Sequence, residues 1–326
     1  MIFSHGVVVG KFYPPHKGHG FLIQTALDQC EHVTVIVCDK SGQVPAAPLR
    51  ASWIARNFPT AHVHVTIDDL GDDDSVAWAM RTKEILGGSP DAVFTSEDYG
   101  DPYAEALGCK HVCVDHPRTT VPISGTRVRE NPLAQWEFLM PVVRGYYAKR
   151  VVILGAESTG TTTLAKDLAR HYQTSWVPEY GRLYAEAKLL DANGTNWTSE
   201  EFTHIAEIQN KMEDALAEVC NKVLICDTDA FATSVWHERY MESRSSAVEK
   251  LADSMQHNLY ILTGDEIPFV QDGTRDGEHI RHWMHGRFEE RLSETGRTFS
   301  VVRGTKEERL AQTVALIDTF IEQKHP

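Results

Sequence analysis

Residues 10–19 read Gly-Lys-Phe-Tyr-Pro-Pro-His-Lys-Gly-His and join a short apolar run, typical of a strand, to a helical pattern. His16 and His19 are three residues apart at the opening of that helix, so both side chains lie on one face. The unpaired N–H groups of a helix N-terminus favour an anion. Gly10 and Gly18 let the backbone approach a bulky polyphosphate closely. The segment therefore predicts a binding site for the phosphates of a nucleotide.

A second segment, residues 123–129, reads Ile-Ser-Gly-Thr-Arg-Val-Arg. Its hydroxyls and an arginine lie where a new helix would begin, because Ser124 or Thr126 can cap a helix. The two segments resemble, at every defined position, the G-x-F-x-P-x-H-x-G-H and I-S-x-T-x-x-R signatures of the nucleotidyltransferase superfamily. A histidine-bearing loop and an ordinary capped helix are the alternative, but both matches in the expected order favour the superfamily. We interpret the first half of the chain as an adenylyl- or cytidylyltransferase.

Composition sets limits on the class of protein. The chain has 326 residues, 42% of them hydrophobic and 24% charged, which is typical of a globular protein with two domains. A formal net charge of −14 argues against nucleic acid or an anionic membrane as a partner. The six cysteines show no C-x-x-C spacing, so neither a disulfide framework nor a zinc ribbon is indicated. No signal peptide or membrane-spanning run is present, which predicts a cytoplasmic location; a homo-oligomer is left open.

Strand-like and helical runs alternate in both halves of the chain. In the first half, strands are predicted at residues 6–9, 32–38, 62–67, 92–95 and 111–114. In the second half, they are predicted at residues 151–154, 175–177, 223–226, 259–262 and 298–302, before a closing amphipathic helix at 306–323. Such alternation predicts α/β domains with parallel sheets, the first being doubly wound and Rossmann-like, over residues 1–147 and 148–326. The acidic stretch 68–74 is predicted to be a solvated loop.

The second half opens with a strand, a glycine-framed loop and a helix, the context of a P-loop kinase-like domain. The loop, residues 155–163, reads Gly-Ala-Glu-Ser-Thr-Gly-Thr-Thr-Thr. In a P-loop, backbone N–H groups wrap phosphate oxygens and a Ser/Thr hydroxyl binds Mg²⁺, a position that Thr162 occupies here. The predicted ATP-binding residues of this loop are Gly155, Glu157, Ser158, Thr159, Gly160, Thr161, Thr162 and Thr163.

The loop departs from the P-loop pattern at residue 161. The pattern G-x-x-x-x-G-K-[ST] requires lysine there, whereas this chain has Thr161, which cannot carry positive charge to the phosphates. Nucleotide binding could persist through backbone and magnesium contacts while phosphoryl transfer weakens. The candidates for the missing charge are Lys166, Arg182, Arg275 and Arg281.

Carboxylates follow several predicted strands of the second half. A hydroxyl nucleophile needs a nearby carboxylate to accept its proton as the transition state forms. A helix cap or a surface charge is an equally good reading of any single acid, but together, beside a P-loop, they favour phosphotransfer. Catalytic roles are predicted for Glu179 and Asp227, with Asp227 and Thr162 as magnesium ligands. The predicted substrate-binding residues are Glu179, Tyr180, Arg182, Asp229 and Asp272. Residues 275–287 resemble a lid over ATP phosphates, with Arg275 and Arg281 as contacts.

The order of these motifs resembles the bifunctional NadR-type enzymes, which join a nicotinamide-nucleotide adenylyltransferase to a ribosylnicotinamide kinase. The likeness includes Thr-Ser-Glu-Asp-Tyr-Gly at 95–100, Val-Asp-His-Pro-Arg at 114–118, Pro-Glu-Tyr at 178–180 and Phe-Val-Gln-Asp-Gly-Thr-Arg at 269–275. Some relatives carry an N-terminal helix-turn-helix repressor module. Here the first strand begins by residue 7, so neither that module nor transcriptional repression is expected.

The resemblance implies two successive reactions. ATP phosphorylates nicotinamide riboside, and the resulting nicotinamide mononucleotide attacks the α-phosphorus of a second ATP, giving NAD and pyrophosphate, with Mg²⁺ bridging ATP oxygens. A phosphate with a second pKa of about 6 needs no general base, so the first domain needs only alignment and charge neutralisation. Its expected contacts to ATP phosphates come from the residues of both signatures: Gly10, Lys11, Phe12, His16, Gly18, His19, Ser124, Thr126 and Arg129.

Two other functions remain open from the sequence. Residues 150–326 could bind or sense a nucleotide or riboside without transferring phosphate, a reading that Thr161 motivates. The first domain could also act on another phosphate acceptor, such as a pantetheine phosphate or a cytidylyl acceptor.

Overall fold

The computed structural model describes residues 1–71, 74–190, 196–271 and 277–322. The chain divides into two compact units, one ending at Val143 and the next beginning at Arg144. The predicted domain boundary, between residues 147 and 148, lies slightly further along the chain. Asp272 and Arg275, both predicted as site residues, lie outside the described residues.

The first unit contains a five-stranded parallel sheet in the order β3-β2-β1-β4-β5. Its strands are β1 (Phe3–Gly10), β2 (Cys30–Asp39), β3 (His62–Ile67), β4 (Ala92–Thr95) and β5 (Lys110–Cys113). Its helices are α1 (Lys17–Gln29), α2 (Ala47–Asn57), α3 (Ser75–Leu86), α4 (Gly100–Leu107), α5 (Gly125–Glu130) and a 3₁₀ turn (Trp136–Phe138). The strand order reverses beside β1, so the crevice at the carboxyl ends of β1 and β4 is the place where such sheets bind ligands.

The central strand β1 shows why the apolar run folds this way. Val7 and Val8 are both fully buried, and successive side chains of a strand point to opposite faces of the sheet. Val8 packs with Ile23 of α1 on one face, and Val7 packs with Leu107 of α4 on the other. A strand covered on both faces reads as a continuous apolar run, which is the pattern that predicted it.

The second unit contains another five-stranded parallel sheet, in the order β10-β9-β6-β8-β7. Its strands are β6 (Lys149–Leu154), β7 (Trp176–Val177), β8 (Val223–Asp227), β9 (Leu259–Thr263) and β10 (Phe299–Val302). Its helices are α6 (Pro141–Tyr147), which crosses the division between the units, α7 (Thr161–Tyr172), α8 (Tyr180–Lys188), α9 (Ser199–Ala217), α10 (Ala230–Met241), α11 (Ser246–Asp253), α12 (Arg281–Glu294) and α13 (Lys306–Glu322), with a 3₁₀ turn (Glu278–Ile280).

The core of the second unit lies between β6 and two helices. Val151 and Ile153 pack on Leu164 and Leu168 of α7, and Ile317 of α13 completes the cluster. Strand β6 therefore runs through the middle of the sheet and delivers the glycine-framed loop to its carboxyl edge. The predicted architecture, two α/β domains with parallel sheets, is confirmed. Within the described ranges, no helix combines the length and apolarity needed to cross a membrane.

Candidate functional sites

A cavity of about 880 Å³ opens at the carboxyl ends of β1 and β4 in the first unit. Its wall contains every residue that the two signatures predicted for this domain: Gly10, Lys11, Phe12, His16, Gly18, His19, Ser124, Thr126 and Arg129. The structure therefore brings together two segments that are more than a hundred residues apart in the sequence.

The imidazole pair consists of His16, the N-cap of α1, and His19, in the first turn of that helix. The Nδ1 atom of each ring accepts the backbone N–H of the other histidine, and both N···N distances are 3.3 Å. The two rings are stacked, with their centroids 3.7 Å apart. Burial lowers the pKa of His16 to about 4, with help from the charge of Arg118, and it lowers the pKa of His19 well below its ordinary value. Both rings are therefore neutral near pH 7, and because Nδ1 accepts, the proton is on Nε2. Each ring offers an N–H donor that a phosphate oxygen can accept.

Helix α5 contacts the loop that precedes α1. Ser124 caps α5 by accepting the N–H of Arg127 at 3.3 Å. Arg129 donates to the carbonyl oxygen of Tyr13 at 2.5 Å, and its guanidinium carbon lies 4.7 Å from the centroid of the Tyr13 ring. A Cβ atom at Gly125 would lie only 2.7 Å from that same carbonyl oxygen. The close approach explains the glycine, to which the sequence interpretation assigned no role.

Asp68 is a cavity residue that the sequence interpretation missed. Its side chain is 2% exposed, and it lies 3.5 Å from the ammonium of Lys11. The prediction of a solvated loop at residues 68–74 is therefore wrong for its first residue. The available signal was position, because Asp68 directly follows β3 and so ends at the same edge of the sheet as the glycine-rich segment.

A second cavity, of about 400 Å³, lies at the carboxyl edge of the sheet in the second unit. Ten predicted site residues line it: Gly155, Glu157, Ser158, Gly160, Thr161, Thr162, Thr163, Glu179, Arg182 and Asp227. Four other predicted residues within the described ranges lie outside the lining: Thr159, Tyr180, Asp229 and Arg281.

Asp227, the last residue of β8, is the buried acid of this cavity. Burial raises the pKa of its carboxyl to about 6, against the opposing effects of hydrogen bonds from the hydroxyls of Thr162 and Thr161 and of the positive charge of Lys166. A carboxylate beside a threonine hydroxyl at the start of a P-loop helix is the oxygen donor set that Mg²⁺ takes in nucleotide sites. The residues therefore fit the magnesium site that the sequence predicts.

The tip of the P-loop is held by the segment on either side of residues 272–276. The side chain of Glu157 accepts the N–H of Gly277 at 2.8 Å and pairs with Arg239 at 3.4 Å. The Ser158 hydroxyl accepts the N–H of Val270 at 2.8 Å. Arg281 donates to the carbonyl oxygens of Ser158, at 3.4 Å, and of residue 267, at 2.9 Å. These side chains fix the shape of the loop.

Three other predicted residues make hydrogen bonds within the unit. Thr159 is buried and donates to the carbonyl oxygen of residue 156 at 2.7 Å. Asp229 is fully buried, caps α10, and accepts the hydroxyl of Tyr260 at 2.9 Å. The backbone N–H of Tyr180 donates to the side chain of Gln209 at 3.0 Å. Thr159 and Asp229 thus support the local backbone from buried positions, whereas Tyr180 is half-buried.

An aromatic wall faces the P-loop across the second cavity, formed by Trp197, Phe202, Trp236 and Tyr240. The ring centroids of Trp197 and Tyr240 are 5.5 Å apart. The guanidinium carbon of Arg239 lies 4.6 Å from the centroid of the Tyr240 ring. The sequence alone does not show which aromatic residues line the cavity. They come from α9, α10 and the segment before α9, which only the fold brings together.

Comparisons with known proteins agree with this arrangement. Residues 150–309 match the AAA domain family. The trifunctional NAD biosynthesis/regulator protein NadR of Escherichia coli (strain K12) is 32% identical over 292 residues, which are 83% of this chain and 71% of the relative. The protein of the same name from Salmonella typhimurium (strain LT2) is 31% identical over equal shares of both chains.

Two solved structures share the fold of the whole chain. NadR protein in complex with NR superposes with a TM-score of 0.79 at 22% identity, and NadR protein in complex with NAD and AMP-PNP with a TM-score of 0.78 at 20% identity. Each likeness covers 99% of this chain and 98% of the other. Because its identity to the curated relatives exceeds 30% over more than two thirds of both sequences, the chain belongs to the NadR family.

Proposed function

We propose that the chain makes NAD in two ATP-dependent steps, phosphorylation of nicotinamide riboside in the second unit and adenylyl transfer to nicotinamide mononucleotide in the first. The observation that carries the proposal is the stacked imidazole pair in one cavity with the hydroxyls of α5 and Arg129. The names of the curated relatives and the ligands of the two similar structures support the same chemistry.

In the adenylyl-transfer step, the first cavity holds the triphosphate of ATP. The two imidazole N–H donors and the hydroxyls of Ser124 and Thr126 bind phosphate oxygens, while Arg129 and Lys11 neutralise charge. The phosphate of the mononucleotide forms a bond to the α-phosphorus, and the bond to the pyrophosphate oxygen breaks. Because that phosphate has a second pKa of about 6, it is anionic near neutral pH and needs no base. Alignment and charge stabilisation are then sufficient for transfer.

In the kinase step, the second cavity holds the γ-phosphate of ATP beside the riboside. Thr162 and Asp227 would hold Mg²⁺, which when bound neutralises charge on the phosphate oxygens. Glu179, in the same wall, accepts the proton of the attacking 5′-hydroxyl. Nicotinamide riboside carries a pyridinium cation, and the faces of the aromatic wall attract cations. The carboxylate of Glu179, which lines the same cavity, adds to that attraction.

Thr161 favours a second candidate function, in which the second unit binds nucleotide or riboside without transferring phosphate. Two separate assays of the purified full chain distinguish the proposals. Nicotinamide mononucleotide with Mg·ATP should give NAD and pyrophosphate, and nicotinamide riboside with Mg·ATP should give the mononucleotide and ADP. NAD synthesis without riboside phosphorylation would favour the second candidate function. Pyrophosphate release with a pantetheine phosphate, or with CTP, but not with the nicotinamide nucleotide and ATP would overturn the first step.

A further inference from the structure

Among the residues that the structure describes, the lining of the second cavity offers little positive charge for phosphoryl transfer. The P-loop has Thr161 where a lysine normally approaches the β- and γ-phosphates, and its hydroxyl bonds to Asp227. Among the described lining residues, Arg182 is the one basic side chain, facing three carboxylates. If this unit phosphorylates a riboside, as proposed above, a further cation must reach the transferred phosphoryl group. The inference that follows rests on that proposed function.

The arginines that the structure describes near the loop already bind other groups. Arg182 pairs with Glu186 on its own helix at 2.9 Å. Arg239 pairs with the P-loop residue Glu157, and Arg281 donates to two backbone carbonyls. Arg309 donates to the carbonyl oxygen of Thr159 at 2.6 Å and pairs with a glutamate at 2.7 Å. Moving any of these guanidinium groups to a phosphate would break an ion pair or release a loop carbonyl.

Lys166 differs from them. It lies on α7 four residues after Thr162, so the two side chains share one face of the helix. Its ammonium lies 4.6 Å from the centroid of the Trp176 ring, and in the described parts of the chain no carboxylate forms an ion pair with it. Its positive charge nevertheless acts on Asp227, where it works against the effect of burial on the pKa of that carboxyl.

Lys166 can also reach the phosphate site. Four residues of an α-helix span about 6 Å along its axis, and helical side chains lean towards the N-terminus. A lysine has a flexible four-carbon stem, so its ammonium can move along the helix towards the hydroxyl of Thr162. A charge-assisted hydrogen bond to a phosphate oxygen is stronger than the contact of an ammonium with a partly exposed ring.

We propose that Lys166 supplies the positive charge that the P-loop lacks at Thr161, by moving from the indole of Trp176 to the transferred phosphoryl group when Mg·ATP binds. In the reaction, the 5′-oxygen of the riboside forms a bond to the γ-phosphorus and the bond to the ADP oxygen breaks. The hydroxyl proton passes to the carboxylate of Glu179. Lys166 keeps its proton and stabilises the charge on the equatorial oxygens.

The test measures riboside phosphorylation by the full chain under steady-state conditions with Mg·ATP. Lys166→Gln should lower kcat by about 100-fold, the size expected for removing one fixed donor from a transition state, with the KM for riboside changed less than about threefold. Lys166→Arg should retain most of the activity. Adding Thr161→Lys to Lys166→Gln should restore kcat to within about tenfold of the native value, because the charge returns at the usual P-loop position.

A matched control is Arg170→Gln, which removes an exposed cation one turn further along α7 and should change nothing. NAD formation from the mononucleotide should be equal in all variants, and an unchanged melting temperature reports on folding of the second unit. A Lys166→Gln protein with native kcat would overturn the role of Lys166 and leave the proposed function standing. Loss of activity without rescue by Thr161→Lys would overturn that role too. A native chain without riboside phosphorylation, whether or not Thr161→Lys alone confers it, would overturn the proposed function itself.

Discussion

The two cavities share one backbone arrangement but differ in the side chains that line them. In both, a parallel strand ends in a glycine-bearing loop and a helix N-terminus, which suits an anion even without side chains. The first cavity adds neutral imidazoles and places Lys11 and Arg129 in its wall. The second cavity adds hydroxyls and three carboxylates. Among its described lining residues, the basic one is Arg182. On our proposal, the backbone therefore determines where phosphates bind, while the side chains determine which step follows.

The difference matches the two proposed nucleophiles. A phosphate monoester attacks as an anion, so the first cavity needs donors and cations that bind developing charge. A riboside hydroxyl must lose a proton, so the second cavity needs a carboxylate and a metal site. The imidazole pair is already arranged as donors, whereas the second cavity still requires Mg²⁺ and, on our proposal, movement of Lys166.

The largest expected effect is that of His19→Ala on the first cavity. Loss of one N–H donor, and of the ring that stacks on His16, should lower the rate of NAD formation from nicotinamide mononucleotide by about 1,000-fold. Riboside phosphorylation should remain native, because the residue belongs to the other unit. Both rates are measured on the same preparation.

The matched control for that variant is His64→Ala, which removes an exposed imidazole from β3 of the same unit and should leave both rates unchanged. Near-native NAD formation by His19→Ala would remove the imidazole pair from the mechanism. Loss of both activities together would indicate misfolding rather than a local effect.

The sequence predicted those parts of the two sites that depend on local order along the chain. Strand, loop and helix follow one another directly, so the order of residues alone is enough to place the imidazole pair and Thr162 at helix starts and Asp227 at a strand end. Contacts between distant segments could not be predicted in this way. The approach of Gly125 to Tyr13 and the burial of Asp68 depend on how strands pair, which no local pattern reveals.

Asp227→Asn tests the second cavity, as His19→Ala tests the first. The carboxylate should bind Mg²⁺ only when ionised, so its replacement should lower riboside phosphorylation by about 100-fold while NAD formation from the mononucleotide remains native. In the native chain without bound metal, the pKa of Asp227 is raised to about 6, so protons should compete with Mg²⁺ for the carboxylate below that pH and weaken the binding of Mg·ATP. The measurement is kcat/KM for Mg·ATP in riboside phosphorylation between about pH 4.5 and 8, at saturating riboside.

Asp253→Asn is the control, since it removes an exposed carboxylate of the same unit that pairs with Arg297. It should keep the native pH profile. Full activity of Asp227→Asn at pH 7 would contradict the assignment of the metal site to that residue.

The smallest expected effect concerns Asp229, which the sequence places in the substrate site and the structure places in the core. Its carboxylate lies 3.6 Å from Nδ1 of His257, whose Nε2 lies 2.7 Å from Glu213. Burial disfavours the charged ring, but the two carboxylates outweigh it and raise the pKa of His257. Asp229→Asn removes one of these charges and leaves a buried polar group poorly matched to Tyr260. The free energy of unfolding should fall by about 2 kcal/mol.

Thermal unfolding and the KM for riboside, measured on one preparation, separate the two views of Asp229. The core position predicts a lower melting temperature with KM changed less than about threefold, whereas a substrate contact predicts the reverse. The pH dependence of the free energy of unfolding is a second test of the core position. A histidine whose pKa is raised on folding stabilises the protein below its unfolded pKa of about 6.5, and this contribution is lost as the pH rises through the folded value. In the Asp229→Asn variant that loss should be smaller, because the imidazolium then has one carboxylate partner rather than two.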